Sequence, residues 1–180
     1  MSINIPNTLS IFRILLVPVF LFFIVKDRFS HALVVFVAAG LTDAVDGFIA
    51  RAFNQKTELG ANLDPLADKL LLVSVYVALT AKGIIPLWLC VPVILRDAVI
   101  VSGVLIFRGA GRKVVIRPTI YGKLTTFLQI STVIYAMAFA GRTGGFFTTL
   151  ILVTAAITVF TGFDYALREI RTQWGDEKSH

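Results

Sequence analysis

The chain has 180 residues, of which 57% are hydrophobic and 16% charged, and its mean hydropathy is +0.83. Soluble domains carry about 25% charged residues, so this composition excludes an ordinary soluble domain and points to an integral membrane protein. The net charge of +6 suits anionic headgroups and phosphate-bearing substrates, and in an integral membrane chain it does not indicate nucleic acid.

Apolar runs stand at roughly 9–25, 31–50, 65–81, 85–107, 119–140 and 146–167. A spanning helix needs about 20 apolar residues, so the expected fold is all-α: an integral membrane six-transmembrane-helix bundle. One catalytic domain over 1–172 is expected, followed by a polar tail, 173–180. The first run, in "MSINIPNTLSIFRILLVPVF", has no basic residue ahead of it and no small-residue cleavage site after it, and it reads as a retained helix. Cys90, the single cysteine, lies in "PLWLCVPVIL" and reads as a buried structural residue.

The breaks between runs are short, so consecutive helices should be neighbours. Arg51, Lys56, Arg108, Arg112, Lys113, Arg117, Arg168, Arg171 and Lys178 fall on one side of the bundle; Lys26, Arg28, Lys82 and Arg142 fall on the other. Basic residues favour the cytoplasmic side. Both termini are therefore expected in the cytoplasm. Arg13, Lys69, Arg96 and Lys123 lie inside or at the edges of apolar runs. Arg13 is expected to snorkel to the interface. Arg96 and Lys123, near the basic fourth break, are functional candidates. Lys69 leaves both readings open.

The second and third runs carry four acids. Asp43 and Asp46 are three apart, and Asp64 and Asp68 are four apart, so each pair shares a helix face. One aspartate at a helix centre costs about 2.5–3.5 kcal/mol. Arg51 and Lys69 cannot neutralise all four. Hard oxygen donors on two helices suit two Mg²⁺ or Mn²⁺ ions. Two such ions can clamp a pyrophosphate, while a neighbouring carboxylate accepts the proton of an attacking hydroxyl. Gly47 and Ala50 would let a phosphate group approach the backbone, or serve close helix packing. Asp64-Pro65 could instead begin a helix, and Asp46-Gly47 could be a turn. Neither alternative accounts for all four acids.

Over residues 43–68 the sequence matches D-x2-D-G-x2-A-R-x8-G-x3-D-x3-D through Asp43, Asp46, Gly47, Ala50, Arg51, Gly60, Asp64 and Asp68. This resembles the CDP-alcohol phosphatidyltransferase family, as does "NIPNTLSIFR" near the start. The resemblance implies a six-helix membrane enzyme, often dimeric, with a cavity open to the cytoplasm; the setting would be a bacterial-type inner membrane. It implies that Asp43, Asp46 and Asp64 bind metal, that Asp68 lies near the metals and acts as general base, and that Asp43, Gly47, Ala50 and Arg51 hold the CDP part of CDP-diacylglycerol. Gly60 would shape the turn that closes the site. The implied reaction moves a phosphatidyl group to an alcohol and releases CMP.

Candidate acceptor contacts are Arg96, Arg112, Lys113, Arg117 and Lys123, whose charge suits a phosphate-bearing alcohol. Glycerol 3-phosphate ranks first, and "YGKLTT" is similar to the phosphatidylglycerophosphate synthase branch. Asp97 in "LRDAVIV" departs from that branch, which is expected to carry Glu there, and "RPTIYGKLTTFLQ" also resembles the mitochondrial-type cardiolipin synthases, whose acceptor is phosphatidylglycerol. Outside enzymes, the competing reading is a divalent-cation transporter, because intramembrane acids also mark ion pathways.

Overall fold

The computed structural model describes the backbone of residues 5–52, 58–109, 120–139 and 144–176, and the side chains of 13–42, 69–102, 120–139 and 144–167. The described residues form six α-helices: α1 (Ile5–Val25), α2 (Phe29–Ala52), α3 (Glu58–Ala81), α4 (Leu87–Gly109), α5 (Ile120–Ala138) and α6 (Gly145–Asp176). Two boundaries differ from expectation. α3 begins at Glu58, so Asp64-Pro65 lies inside the helix and does not cap it. α6 continues to Asp176, into the segment expected as a tail.

Among the described residues one stretch, Gly145–Leu167 of α6, is both long and apolar enough to cross a membrane. Arg13–Val25, Phe29–Thr42 and Lys69–Ala81 are apolar but shorter. In sequence, α2 and α3 break their apolar runs with the aspartates at one end. Apolar side chains are nonetheless exposed on α1 (Leu15, Phe22), α5 (Phe127) and α6 (Phe160, Phe163). Helices apolar on more than their packed face suit a hydrocarbon surround.

The chain falls into two compact units, Met1–Ile85 with Ile134–Gly141, and Pro86–Val133 with Arg142–His180. In the first, α1 packs on both α2 and α3. The buried side chains follow helical spacing: Arg13, Phe20 and Ile24 on α1; Ala32, Phe36 and Ala39 on α2; Leu72, Val75 and Leu79 on α3. Ala32 and Ala39 are small and fully buried, which allows close approach of the backbones.

Two helix ends in this unit close in the same way. After α1, Asp27 N–H donates to the Ile24 carbonyl and Arg28 N–H to the Phe23 carbonyl, at 3.0 and 2.9 Å. After α3, Gly83 N–H donates to Thr80 and Ile84 N–H to Leu79, at 2.9 and 3.0 Å. Both are Schellman caps, which need a left-handed residue after the helix. Gly83 takes φ +70° without strain, and Asp27 takes φ +56° as one of the few side chains that tolerate it. Lys82 ties the two caps together. Its Nζ donates to Asp27 Oδ1 at 2.6 Å and to the Val25 carbonyl at 3.2 Å.

In the second unit α4 packs on α6. The Pro86 carbonyl accepts the Leu89 and Cys90 amides where α4 starts, and Cys90 is buried as expected. A polar ladder joins α5 to α6 through three buried pairs: Thr125 with Thr161 at 3.1 Å, Gln129 with Thr158 at 3.3 Å, and Thr132 with Thr154 at 2.9 Å. Hydroxyl and amide groups in low dielectric must find partners, and here each helix supplies them to the other.

Candidate active site

The signature residues occupy two helices of the first unit. Asp43, Asp46, Gly47, Ala50 and Arg51 lie in the second half of α2; Gly60, Asp64 and Asp68 lie in the first half of α3. Their side chains are outside those described, but their register is not. The buried positions 32, 36 and 39 of α2 continue at helical spacing to 43 and 46. The buried positions 79, 75 and 72 of α3 continue backwards to 68 and 64. All four aspartates thus fall at positions that continue these helical spacings. Gly60 falls in the first turn of α3.

The Lys82 contact joins the end of α3 to the turn between α1 and α2. At about 1.5 Å per residue, Asp43 lies about 21 Å from Phe29 and Asp68 about 20 Å from Ala81. By the same rise, Asp46 and Asp64 each lie about 25 Å away, one turn deeper. Counted from that junction along their own helices, Asp43 and Asp68 fall at similar distances, and so do Asp46 and Asp64.

Arg13 does not snorkel. It is 1% exposed, on the same face of α1 as Phe20 and Ile24, and by helical rise about 18 Å from Val25. Snorkelling needs a stem that lies along the surface, and the spacing 13, 20, 24 puts this one on the packed face.

Arg96 lies in the second unit. It is buried, and its Nη1 donates to Asp97 Oδ1 at 2.8 Å and its Nη2 to the Gly122 carbonyl at 3.4 Å. Gly162 of α6 faces its stem: a β-carbon there would sit 3.6 Å from Arg96 Cβ. The guanidinium therefore links α4 to the first turn of α5, beside Lys123, which is exposed. Asp97, with 2% of its side chain exposed, is a partner for Arg96 that the sequence reading did not assign. Lys69 is half-buried. Arg112, Lys113 and Arg117 lie outside the described residues.

Among the described residues no cluster of three or more His, Cys, Asp or Glu is present. The donors that suit a metal are the signature aspartates, and their chemistry fits hard divalent cations: four carboxylates on two helices, with no imidazole or thiolate in the signature.

Comparison with known proteins places these features in a family. The model of the CDP-alcohol phosphatidyltransferases matches residues 3–161. Human cardiolipin synthase (CMP-forming) is 48% identical over 106 residues, covering 58% of this chain and 35% of that protein. A probable phosphatidylglycerophosphate synthase of Mycobacterium tuberculosis is 33% identical over 176 residues, covering 93% and 82%. The CDP-diacylglycerol–glycerol-3-phosphate 3-phosphatidyltransferase of Aquifex aeolicus is 36% identical over 133 residues, covering 71% and 72%. The chain thus spans about a third of the length of the human relative and most of the length of the two bacterial ones.

Proposed function

The chain belongs to the CDP-alcohol phosphatidyltransferase family, a family of membrane enzymes, and from that premise we propose that it transfers the phosphatidyl group of CDP-diacylglycerol to an alcohol and releases CMP. The observation that supports this reading is the complete eight-residue signature, whose four aspartates fall at helical spacing in α2 and α3. The protein works in a bacterial-type cytoplasmic membrane as a homodimer of single catalytic domains, with both termini and the site on the cytoplasmic side. The distribution of Lys and Arg supports that orientation.

Asp43, Asp46, Asp64 and Asp68 would hold two Mg²⁺ or Mn²⁺ ions, which when bound supply neutralisation of the pyrophosphate charge. Arg51 adds a fixed positive charge for the CDP phosphates, and Gly47, Ala50 and Gly60 leave the helix backbone open to them. Asp68 takes the proton from the acceptor hydroxyl. The freed oxygen forms a bond to the phosphatidyl phosphorus, and the bond from that phosphorus to the CMP oxygen breaks. CMP leaves with the electron pair, and Asp68 passes its proton to solvent.

For the acceptor, phosphatidylglycerol is favoured by the state of Arg96. A free phosphomonoester such as glycerol 3-phosphate needs unneutralised cations, and Asp97 already neutralises this one. Phosphatidylglycerol presents an uncharged glycerol end and a singly charged phosphodiester, which asks for less. The 48% identity with human cardiolipin synthase supports the same choice. Glycerol 3-phosphate is the second reading, favoured by the relatives that align over most of the chain. Arg112, Lys113, Arg117 and Lys123 remain its candidate phosphate contacts.

Purified protein with Mg²⁺ or Mn²⁺ and CDP-diacylglycerol, offered each acceptor separately, tests both. Cardiolipin and CMP formed from phosphatidylglycerol are expected. Phosphatidylglycerophosphate formed only from glycerol 3-phosphate would reverse the order of the two readings.

A further inference from the structure

We propose that Arg13 is a positioning residue of the active site: a resident positive charge, built into α1, that balances the Asp43–Asp68 level of the aspartate constellation. The proposal rests on reading the four aspartates as the metal site, and it concerns a residue outside the signature.

Three observations meet on it. Arg13 is among the largest fully buried side chains described, with 1% of its surface exposed. A buried guanidinium is costly unless compensated by negative charge or hydrogen-bond acceptors. Its helix packs on both α2 and α3, the two that carry the acids. Its level, about 18 Å from the end of α1 by helical rise, agrees with about 21 Å for Asp43 and about 20 Å for Asp68 along their own helices, all counted from the cap region that Lys82 joins. Arg13 also continues the buried stripe of Phe20 and Ile24, just as Asp43 continues that of Ala39 and Asp68 that of Leu72. Counted along their own helices, Arg13 and the positions of Asp43 and Asp68 thus fall at similar distances from that junction.

The function follows from charge. Four carboxylates in a low-dielectric bundle repel one another whenever divalent ions are absent. A guanidinium carries its charge permanently, so Arg13 holds the Asp43–Asp68 level together in the metal-free protein. With the ions bound, the same charge is less needed. Loss of Arg13 should therefore be felt most without metal.

The test is thermal unfolding of the full chain in detergent, in chelator and in Mg²⁺, for the wild type, Arg13→Lys and Arg13→Met. Arg13→Met should lower the midpoint by several degrees in chelator and by clearly less in Mg²⁺, so that its metal-induced shift exceeds that of the wild type. Arg13→Lys should recover most of the loss. An equal drop in both conditions, or no recovery by lysine, would reduce Arg13 to a packing residue and overturn the proposal. A second arm does not depend on the metal. Adding Asp43→Asn or Asp68→Asn to Arg13→Met should cost less than the two single changes together, because each then removes the other's unbalanced charge. Additive losses overturn the proposal. A wild type that ignores Mg²⁺ while the double variants are non-additive would instead sink the metal reading and leave the charge pairing standing.

Discussion

Lys82 and Asp27 meet at 2.6 Å across the two Schellman caps, and this contact joins the end of α3 to the turn between α1 and α2. Energetically it is a small contact, because Asp27 is two-thirds exposed and Lys82 about one-third. Pairs of this kind contribute about 1 kcal/mol or less. Lys82→Met should therefore lower stability only slightly. Asp27→Val should cost more, about 1–2 kcal/mol, because a β-branched residue is strained at positive φ, whereas Asp27→Gly should lose little. Unfolding midpoints of the three variants in detergent check that order.

The Arg96–Asp97 pair is the opposite case. Both side chains are at most 4% exposed, so removing one partner leaves an uncompensated buried charge. Asp97→Ala or Arg96→Met should each destabilise by about 3–5 kcal/mol. The double change should be milder than the sum. Arg96→Lys keeps the charge but not the forked geometry that reaches both Asp97 and the Gly122 carbonyl, and it should lose activity while retaining much of the stability. Comparing turnover with unfolding for these variants separates the two effects.

The α5–α6 ladder spreads its contribution over three pairs. Interhelical hydrogen bonds in membrane proteins average about 0.6 kcal/mol. Thr132→Val and Thr154→Val should each cost about that much, and combining them should be no worse than either alone, since valine fills the same volume on both sides. A clearly additive double variant would show that the 2.9 Å contact contributes nothing specific.

Much of the fold was legible because its determinants are local. Apolar runs gave the number of helices and the breaks gave their order. The signature residues are close in sequence, so the candidate site was readable from residues 43–68 alone. What escaped depended on relations between distant helices. Asp64-Pro65 offered a helix start as an alternative because it is a good one locally, yet α3 begins earlier, at Glu58. Arg13 read as a snorkelling residue because a lone charge in an apolar run gives no hint of its partners. Only the packing of α1 on α2 and α3 shows that its face is the inner one. Asp97 is adjacent to Arg96, but neighbours in a helix do not share a face, so their pairing needed the observed side-chain path.

The aspartates divide by role, and the division can be measured. If Asp68 takes the hydroxyl proton, Asp68→Asn keeps a side chain of the same shape but cannot act as base. General-base catalysis contributes about 10²–10⁴-fold, so CMP release should fall by at least that range. Stabilisation by Mg²⁺ should survive in part, because Asp43, Asp46 and Asp64 remain. Asp43→Asn should lose both turnover and most of the metal-induced stabilisation. In the wild type, chelator should abolish CMP release, and added Mg²⁺ or Mn²⁺ should restore it. A cation transporter would show none of this dependence, since it has no CMP to release. Full CMP release by purified Asp68→Asn would remove that residue as the base, and metal-independent turnover would remove the two-cation chemistry.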